Sequence, residues 1–308
     1  MTDPQAELDH AGREYLARLS DADLRALVHA DAVTADRATA RIEALHRQPA
    51  LLLDALDRPA TSAAVLNLAR AAGPGAAAGL GRAADRFALI SPFLLFAAAV
   101  HRTAADLAGA SYAPERTAPR RIPLFDGGRL TAYLAAPRHR LFLADLLASF
   151  ARISSGVVLA PDGRHRRRWN DADPHRLAVL LDAVPPAQRP PVWRRLGDLA
   201  LFLAGVFPDA AERLVPDEAA ASRLARRTLP AAPDTRPARL PEGGAADLME
   251  WLGTRWYQQA ARHVAGDAAP DLWERAEQFR PARRVLNTAT DRYLLPYSAD
   301  WLTAPGSP

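Results

Sequence analysis

Residues 90–107 read ISPFLLFAAAVHRTAADL and join a strongly apolar segment to a polar end. Pro92 fits the first turn of a helix with Ser91 as its N-cap, because proline is tolerated there and breaks a helix further along. The uncharged run before His101 is interrupted by this pair and is shorter than the roughly 18 apolar residues of a bilayer span. The segment therefore predicts a buried helix of a globular domain.

Apolar residues recur at helical spacing along most of the chain, which predicts a mostly α fold, a multi-helix globular bundle. Ser20 and Asp23 have the spacing of a capping box at a helix start. The strongest strand signal is SGVVLAPDGRHRRRW, in which two short runs flank a Pro-Asp-Gly turn, and it predicts one small β-hairpin near residues 156–169. Residues 108–123 contain too many prolines for a helix and are expected to form a connector over the surface.

The domain prediction has three parts. Residues 1–227 are expected to form a helical body that includes the hairpin, and residues 228–244, rich in proline, alanine and arginine, a flexible linker or loop. Residues 245–308 are expected to form C-terminal helices packing on the body, with a kink or split at Pro281. Glycines between Gly73 and Gly81 predict a further loop.

Composition excludes several kinds of chemistry. The chain has no cysteine, which excludes disulfides and thiolate metal sites. All 39 basic residues are arginine, which also excludes Schiff-base lysines and a phosphate-loop lysine. The polar N-terminus differs from a secretory signal, so a cytoplasmic location is expected. Abundant arginine, alanine and proline indicate a GC-rich, actinobacterial type of genome, and the net charge of +4 permits an acidic partner without requiring one.

The sequence contains none of the common nucleotide-binding, hydrolase or metalloprotease motifs. No two of the eight histidines are three or four residues apart, as paired metal ligands on one helix would be. We therefore expect no metal ion and no cofactor.

Polar residues embedded in apolar helices are the main site candidates. His101 and Asp198 are the candidate acid–base groups, since histidine titrates near neutral pH. The candidate substrate-binding residues are Arg102, Asp145, Arg255, Tyr257, Arg284, Asn287, Asp291, Arg292 and Tyr293. Because an unpaired buried charge costs several kcal/mol, these groups must meet one another, water or a ligand. One interpretation is a set of closed structural pairs, and the other is an interhelical pocket in which arginines bind an anionic small molecule.

The hairpin supplies a second candidate surface. Its basic residues and terminal aromatic, Arg164, Arg166, Arg167, Arg168 and Trp169, could bind an acidic protein, and less readily a nucleic acid because no recognition helix accompanies them. The alternative is a solvated loop flanked by aspartates.

Six segments of the sequence resemble an actinobacterial family of mostly helical proteins. They are SPFLLFAAAVHR, APERTAPRRIPLFD, RLFLADLLASFARISSG, RRLGDLALFLAGVFPD, EWLGTRWY and RRVLNTATDRYLLP. The resemblance spans Ala88 to Pro296 and implies a helical fold, but it carries no activity or site residue.

Two functions of different class follow as predictions. One is a cofactor-free enzyme or ligand-binding protein with an arginine-lined pocket for an anionic small molecule, in specialised metabolite biosynthesis. The other is a non-catalytic scaffold or regulatory module that binds an acidic protein or nucleic acid through its basic hairpin. Neither prediction includes a membrane partner.

Overall fold

The computed structural model describes residues 4–31, 35–71, 90–117, 120–159, 164–230, 244–266 and 268–295. The protein is mostly α-helical and its described part divides into two compact units. Among the described residues, the first unit draws on the ranges 4–114, 123–151 and 288–295, and the second on 115–122 and 152–287.

The first unit contains a series of helices and a final π-helical turn. They are α1 Pro4–Leu16, α2 Asp21–Ala30, α3 Ala35–Arg47, α4 Ala50–Asp57, α5 Pro59–Ala71, α6 Pro92–Leu107, α7 Gly127–Ala135, α8 Pro137–Ser149 and the turn Thr290–Leu294. Strands β1 Ala113–Thr117 and β2 Arg120–Leu124 pair with each other, and most of their residues belong to the second unit.

The second unit contains a β-hairpin followed by helices. Its elements are β3 Ser155–Leu159, β4 Arg166–Asn170, α9 Pro174–Leu177, α10 Val179–Ala183, a 3₁₀ turn Pro186–Gln188, α11 Arg189–Val206, α12 Pro208–Leu214, α13 Glu218–Thr228, α14 Ala245–His263, α15 Ala268–Glu277 and α16 Phe279–Ala289. The division between the units falls within α16.

Helix α6 is the centre of the first unit and packs against α4, α5, α7 and α8. Its start is as predicted: the Ser91 hydroxyl oxygen accepts a hydrogen bond from the Leu94 amide at 3.2 Å, and Pro92 lies in the first turn. Every residue from Phe93 to His101 is buried. Helix α6 therefore places His101 in the core, whereas Arg102 and Asp106 at its polar end remain partly exposed.

The predicted capping box at Ser20 is confirmed, and it also links two helices. The fully buried Asp23 carboxylate accepts hydrogen bonds from the Ser20 amide at 2.9 Å and from the Ser91 amide at 2.6 Å. One carboxylate thus satisfies backbone donors at the starts of both α2 and α6.

Close contact between α11 and α14 organises the second unit. A Cβ atom at Gly197 would lie 2.7 Å from the Tyr257 ring, and one at Gly253 would lie 2.9 Å from the Ala200 Cβ. These glycines let the two helices approach where the Tyr257 ring and the Ala200 methyl group occupy the space of a side chain.

The predicted hairpin is confirmed as β3 and β4, which pair antiparallel from Ser155 with Asn170 to Leu159 with Arg166. The turn at 161–163 lies outside the described residues, as do the glycine segment of residues 73–81 and most of the predicted linker. Instead of a simple connector, residues 108–123 contain the paired strands β1 and β2. Their prolines exclude a helix but are tolerated in a two-stranded sheet, where one edge of each strand needs no partner.

The predicted break near Pro281 is a split between two helices. Helix α15 ends at Glu277, and α16 begins at Phe279 with Pro281 in its first turn. Proline is compatible with a first turn because its missing N–H would have no partner there.

Replacing Gly197 with alanine should destabilise the protein, because the new methyl group would overlap the buried Tyr257 ring. We expect the free energy of unfolding to fall by about 1–3 kcal/mol, despite the better helix propensity of alanine. Chemical denaturation measures this loss. The control is Gly128→Ala in α7, where nothing lies within 4 Å of the added methyl group. Equal stability of both variants would contradict the packing explanation.

Candidate functional site

His101 lies at the centre of a hydrogen-bonded chain in the first unit. Its Nε2 is 3.0 Å from the Tyr15 hydroxyl, and its Nδ1 is 2.6 Å from an Asp57 carboxylate oxygen. The same oxygen of Asp57 accepts a hydrogen bond from Arg140 at 2.5 Å. Because an ionised carboxylate only accepts, Nδ1 carries the hydrogen and Nε2 accepts from Tyr15. The chain ties together α1, α4, α6 and α8.

Burial determines the charge states in this chain. It lowers the pKa of His101 below its ordinary value of 6.5, and the positive charge of Arg140 adds to this against the opposing hydrogen bond to Asp57. Burial also raises the pKa of the Tyr15 hydroxyl far above its usual range. For Asp57, burial opposes ionisation, but the hydrogen bonds and charges of His101 and Arg140 outweigh it and lower the pKa. The chain therefore contains a neutral tyrosine, a neutral histidine and an ion pair.

The residue types of this hydrogen-bonded chain are those of an acid–base relay, but its histidine is not accessible to solvent. The side chain of His101 is 0% exposed, and Tyr15 is fully buried. Asp57 is the member that reaches solvent, with 43% of its side chain exposed. A substrate would have no route to the histidine, so the geometry indicates a structural role for the chain.

Arg102 belongs to a separate cluster in the first unit. Its Nε lies 3.4 Å from the Asp106 carboxylate one turn along α6 and donates to the Tyr293 hydroxyl at 3.3 Å. Asp106 also accepts hydrogen bonds from Arg292, at 3.0 Å, and from Tyr293. These four residues satisfy one another, which is the closed-pair interpretation. Asp291 lies half-buried in the adjoining π-helical turn.

Asp145 and Asp198 lie in apolar helices, and each has an arginine partner. Asp145 accepts from Arg18 at 2.7 and 2.8 Å in the first unit. Asp198 lies 3.9 Å from Arg194 and also accepts from the Tyr257 hydroxyl at 2.8 Å in the second unit. Burial and the Asp198 charge raise the pKa of Tyr257 well above its ordinary value, so this tyrosine stays a donor. The two candidate acid–base residues, His101 and Asp198, thus lie in different units.

Three other candidates lie in the second unit. Arg284 has its Nε 3.6 Å from Glu115, and the amide group of Asn287 exchanges two hydrogen bonds with the backbone of Arg116, at 2.6 and 3.1 Å. Arg255 stacks on the Trp251 ring, with its guanidinium carbon 3.9 Å from the ring centre. Burial lowers the pKa of Arg255. Stacking on Trp251 offsets part of the cost of burying the Arg255 charge, because a cation over an indole face is attracted by the ring.

The hairpin candidates divide between its two faces. Trp169 packs over Gly156, where an added Cβ would lie 2.9 Å from the indole nitrogen, and Arg167 pairs with Asp182 at 3.3 Å. Arg164, Arg166 and Arg168 are exposed.

A cleft in the second unit contains polar groups that the sequence did not single out. It has a volume of about 290 Å³. Its walls come from α10, the 3₁₀ turn, α11, α13 and α14, and consist of Leu181, Asp182, Pro186, Arg189, Trp193, Arg227, Thr228, Leu229, Pro230, Gln259 and His263. A second cavity of about 160 Å³, between α11 and α15, is smaller and mainly apolar. The larger cleft therefore offers a ligand more room and more polar contacts.

Arg189 is the unusual member of the cleft. Its Nε is buried and has no hydrogen-bond acceptor in the described part of the chain. Arg227 donates to the His175 carbonyl oxygen at 3.1 Å and to Asp182 at 3.4 Å. Trp193 closes the interior wall, with its indole N–H on the Thr228 carbonyl oxygen at 2.7 Å. Of these two arginines, Arg227 has hydrogen-bond acceptors in the described chain and the Arg189 Nε has none.

His263 contacts Gln259 in the cleft wall. Its Nδ1 lies 3.0 Å from the Gln259 carbonyl oxygen, which can only accept, and 3.4 Å from the Gln259 side-chain nitrogen. The shorter contact favours the tautomer with the hydrogen on Nδ1, in which Nε2 accepts a hydrogen bond. By contrast, the Thr228 hydroxyl is already engaged, since it donates to Leu224 and accepts from Trp256.

No protein-family model, curated protein or solved structure matches the chain. In the described ranges no cluster of three or more potential ligand residues is arranged to hold a metal ion. Among the same residues, no helix has the length and apolar character needed to cross a membrane.

The neutral, buried His101 should make stability depend on pH. Below about pH 6.5 the unfolded chain binds a proton at this histidine that the folded chain does not bind. The free energy of unfolding should therefore fall as pH drops from about 7 to about 5, by up to ~1.4 kcal/mol per pH unit. The contribution of Asp57, whose pKa is lowered from 3.8, is lost only at more acidic pH.

Urea denaturation at a series of pH values measures this slope. His101→Gln should remove the part between about pH 7 and pH 5, whereas His46→Gln, a change at an exposed histidine of α3, should retain it. A wild-type protein of constant stability over this range would contradict the neutral assignment.

Proposed function

We propose that the second unit binds a small organic anion in the cleft between α11, α13 and α14. The observation that carries this proposal is Arg189, whose buried Nε has no acceptor within the described residues. A buried donor that lacks a partner costs about 1–3 kcal/mol, and more when the group is charged. A bound carboxylate, phosphate or sulfate group would supply the acceptor and the opposite charge.

The charge balance of the lining residues supports an anion. Among the described residues that line the cleft are two arginines, Arg189 and Arg227, and one carboxylate, Asp182. Asp182 is shared with Arg167, at 3.3 Å, so it neutralises the cleft arginines incompletely. Arg255 is also without an acidic partner in the described chain, but its guanidinium is stacked on an indole ring. Arg189 is therefore the better candidate for direct contact with a ligand.

The size and walls of the cleft suggest what kind of anion it would bind. A volume of about 290 Å³ is near the lower end of small-molecule sites. Leu181, Trp193 and Leu229 offer apolar contact beside the arginines. These features favour a metabolite with an apolar body and a carboxylate, phosphate ester or sulfate ester at one end. We also propose that the protein acts in specialised metabolite biosynthesis in an actinobacterium.

His263 would contribute a second polar contact. With its Nδ1 hydrogen held by Gln259, Nε2 accepts from a ligand hydroxyl or, when protonated, donates to the anion. Among the described lining residues, the one hydroxyl group, that of Thr228, both donates and accepts a hydrogen bond within the protein. The proposal is accordingly a binding function, with His263 as a second polar contact for the ligand.

Arg189→Gln should weaken anion binding by about tenfold or more, because a hydrogen bond to a charged group is worth roughly 1.5–3 kcal/mol. Calorimetric titration of the full chain with sulfate, phosphate, benzoate and phenyl phosphate measures the affinity, and phenol serves as the neutral ligand. We expect the aromatic anions to bind more tightly than the inorganic ions, and phenol to bind more weakly than either aromatic anion.

The matched control is Arg226→Gln, which removes the same charge from an exposed position of α13 next to Arg227. It should leave the affinity unchanged.

Arg227→Gln tests the second cleft arginine if Arg189→Gln does not fold. The proposal fails if none of the anions binds, or if the control loses as much affinity as the cleft variants.

A further inference from the structure

One face of the β3–β4 hairpin is exposed and combines aliphatic with cationic side chains. Val157 lies opposite Arg168 and Leu159 opposite Arg166. Side chains directly opposite on antiparallel strands share a face of the sheet. All four are exposed, Val157 by 54% and Leu159 by 57%. We call these four residues the hairpin face.

The opposite side of the hairpin is fixed to the second unit. It carries Arg167, which pairs with Asp182 of α10, and Trp169, which packs over Gly156 of the same hairpin. At the base of the hairpin, the buried Asp171 carboxylate accepts from the Ser154 amide at 2.8 Å and from Arg195 at 2.7 Å. The hairpin is thus held by its inner side, and the hairpin face is presented on a supported scaffold.

The arginines of the hairpin face have no partners in the described chain. Neither the Arg166 guanidinium nor the Arg168 guanidinium makes an ion pair or a hydrogen bond with a described residue, whereas the Arg167 guanidinium pairs with Asp182. Exposed aliphatic residues at a strand surface invite association, and a protein that only needed a soluble hairpin would place polar residues there. The face therefore combines two kinds of unsatisfied surface, one apolar and one positively charged.

We propose that the hairpin face binds an acidic segment of another protein, one in which aspartate or glutamate alternates with aliphatic residues. Residues two apart on a strand are about 6.6–7 Å apart, so Arg166 and Arg168 match carboxylates at alternate positions of an extended segment. The aliphatic residues of the partner would cover Val157 and Leu159. Burial of the apolar contacts would strengthen the pairing of the charges, which alone is weak at an exposed site.

Two observations favour a protein partner over a nucleic acid. The aromatic residue of the hairpin, Trp169, is on the inner side over Gly156, so the hairpin face has no ring on which a base could stack. Its remaining side chains are aliphatic and offer nothing to phosphate or to base edges. Val157 and Leu159 suit a partner with apolar side chains next to its charges.

The test uses the full chain and a short fluorescein-labelled peptide that alternates aspartate with valine. Fluorescence anisotropy should show saturable binding that weakens between about 50 mM and about 300 mM salt. Arg166→Gln/Arg168→Gln should weaken it by about fivefold or more. Val157→Ser/Leu159→Ser should also weaken it. The same peptide with asparagine in place of aspartate should bind less tightly than the acidic peptide.

The control variant is Arg213→Gln/Arg223→Gln, which removes two exposed arginines from α12 and α13 and should not change peptide binding.

Single-stranded oligonucleotide and vesicles of mixed neutral and anionic phospholipid are the competing probes. Tighter binding of either probe than of the peptide would overturn the assignment to a protein partner. Absence of peptide binding, or an equal loss in the control, would overturn the site itself. The anion cleft is untouched by these variants, so the two proposals succeed or fail independently.

Discussion

A polar group that a helix carries out of water must find a partner, and this requirement shapes both units of the protein. Unpaired burial of a charge costs several kcal/mol, which is a large part of the net stability of a domain. In the first unit, the buried His101 is satisfied by Tyr15 of α1 and Asp57 of α4, and Arg140 of α8 donates in turn to Asp57. Packing of α1, α4 and α8 around α6 is therefore coupled to one hydrogen-bonded chain.

In the second unit, the buried polar group finds its partner because two helices pack unusually closely. Gly197 and Gly253 let α14 approach α11, and Tyr257 then reaches the Asp198 carboxylate at 2.8 Å. The ring that fills the space above Gly197 is the same one whose hydroxyl satisfies Asp198. A larger residue at position 197 would disturb both the packing and the hydrogen bond.

Local signals in the sequence were sufficient for much of the fold. The Ser91–Pro92 helix start, the capping box at Ser20 and the hairpin of residues 155–170 all follow from interactions within a few residues. The strands β1 and β2 were missed, because prolines obscure their pattern. Arg116 in β1 is also held by Asn287, which is 171 residues away. Such a contact leaves no local trace.

The site residues show the same limit. The sequence identified His101 and Arg102 as polar groups in an apolar helix, but their partners Tyr15, Asp57 and Tyr293 come from distant helices. Arg189 stands between a 3₁₀ turn and two prolines, and nothing in this local pattern predicts a ligand contact. Its importance comes from a missing acceptor, which is a property of the packed structure and not of the residue type.

Closed pairs and an open cleft therefore have opposite consequences for function. Where arginine meets carboxylate or tyrosine, as at Arg102 and Asp106, the interaction is already complete without a ligand. Where Arg189 lines a cavity without an acceptor in the described chain, a ligand has something to supply. This contrast is the basis for locating the binding function in the second unit.

The most direct test of this contrast is NMR observation of arginine Nε–Hε resonances during titration with benzoate or phenyl phosphate. Arg189, identified by the signal that disappears in Arg189→Gln, should shift saturably. The resonance of Arg18, whose Nε is held by Asp145 at 2.7 Å, should stay in place. An unchanged Arg189 resonance at saturating anion, or equal shifts of both arginines, would contradict the account.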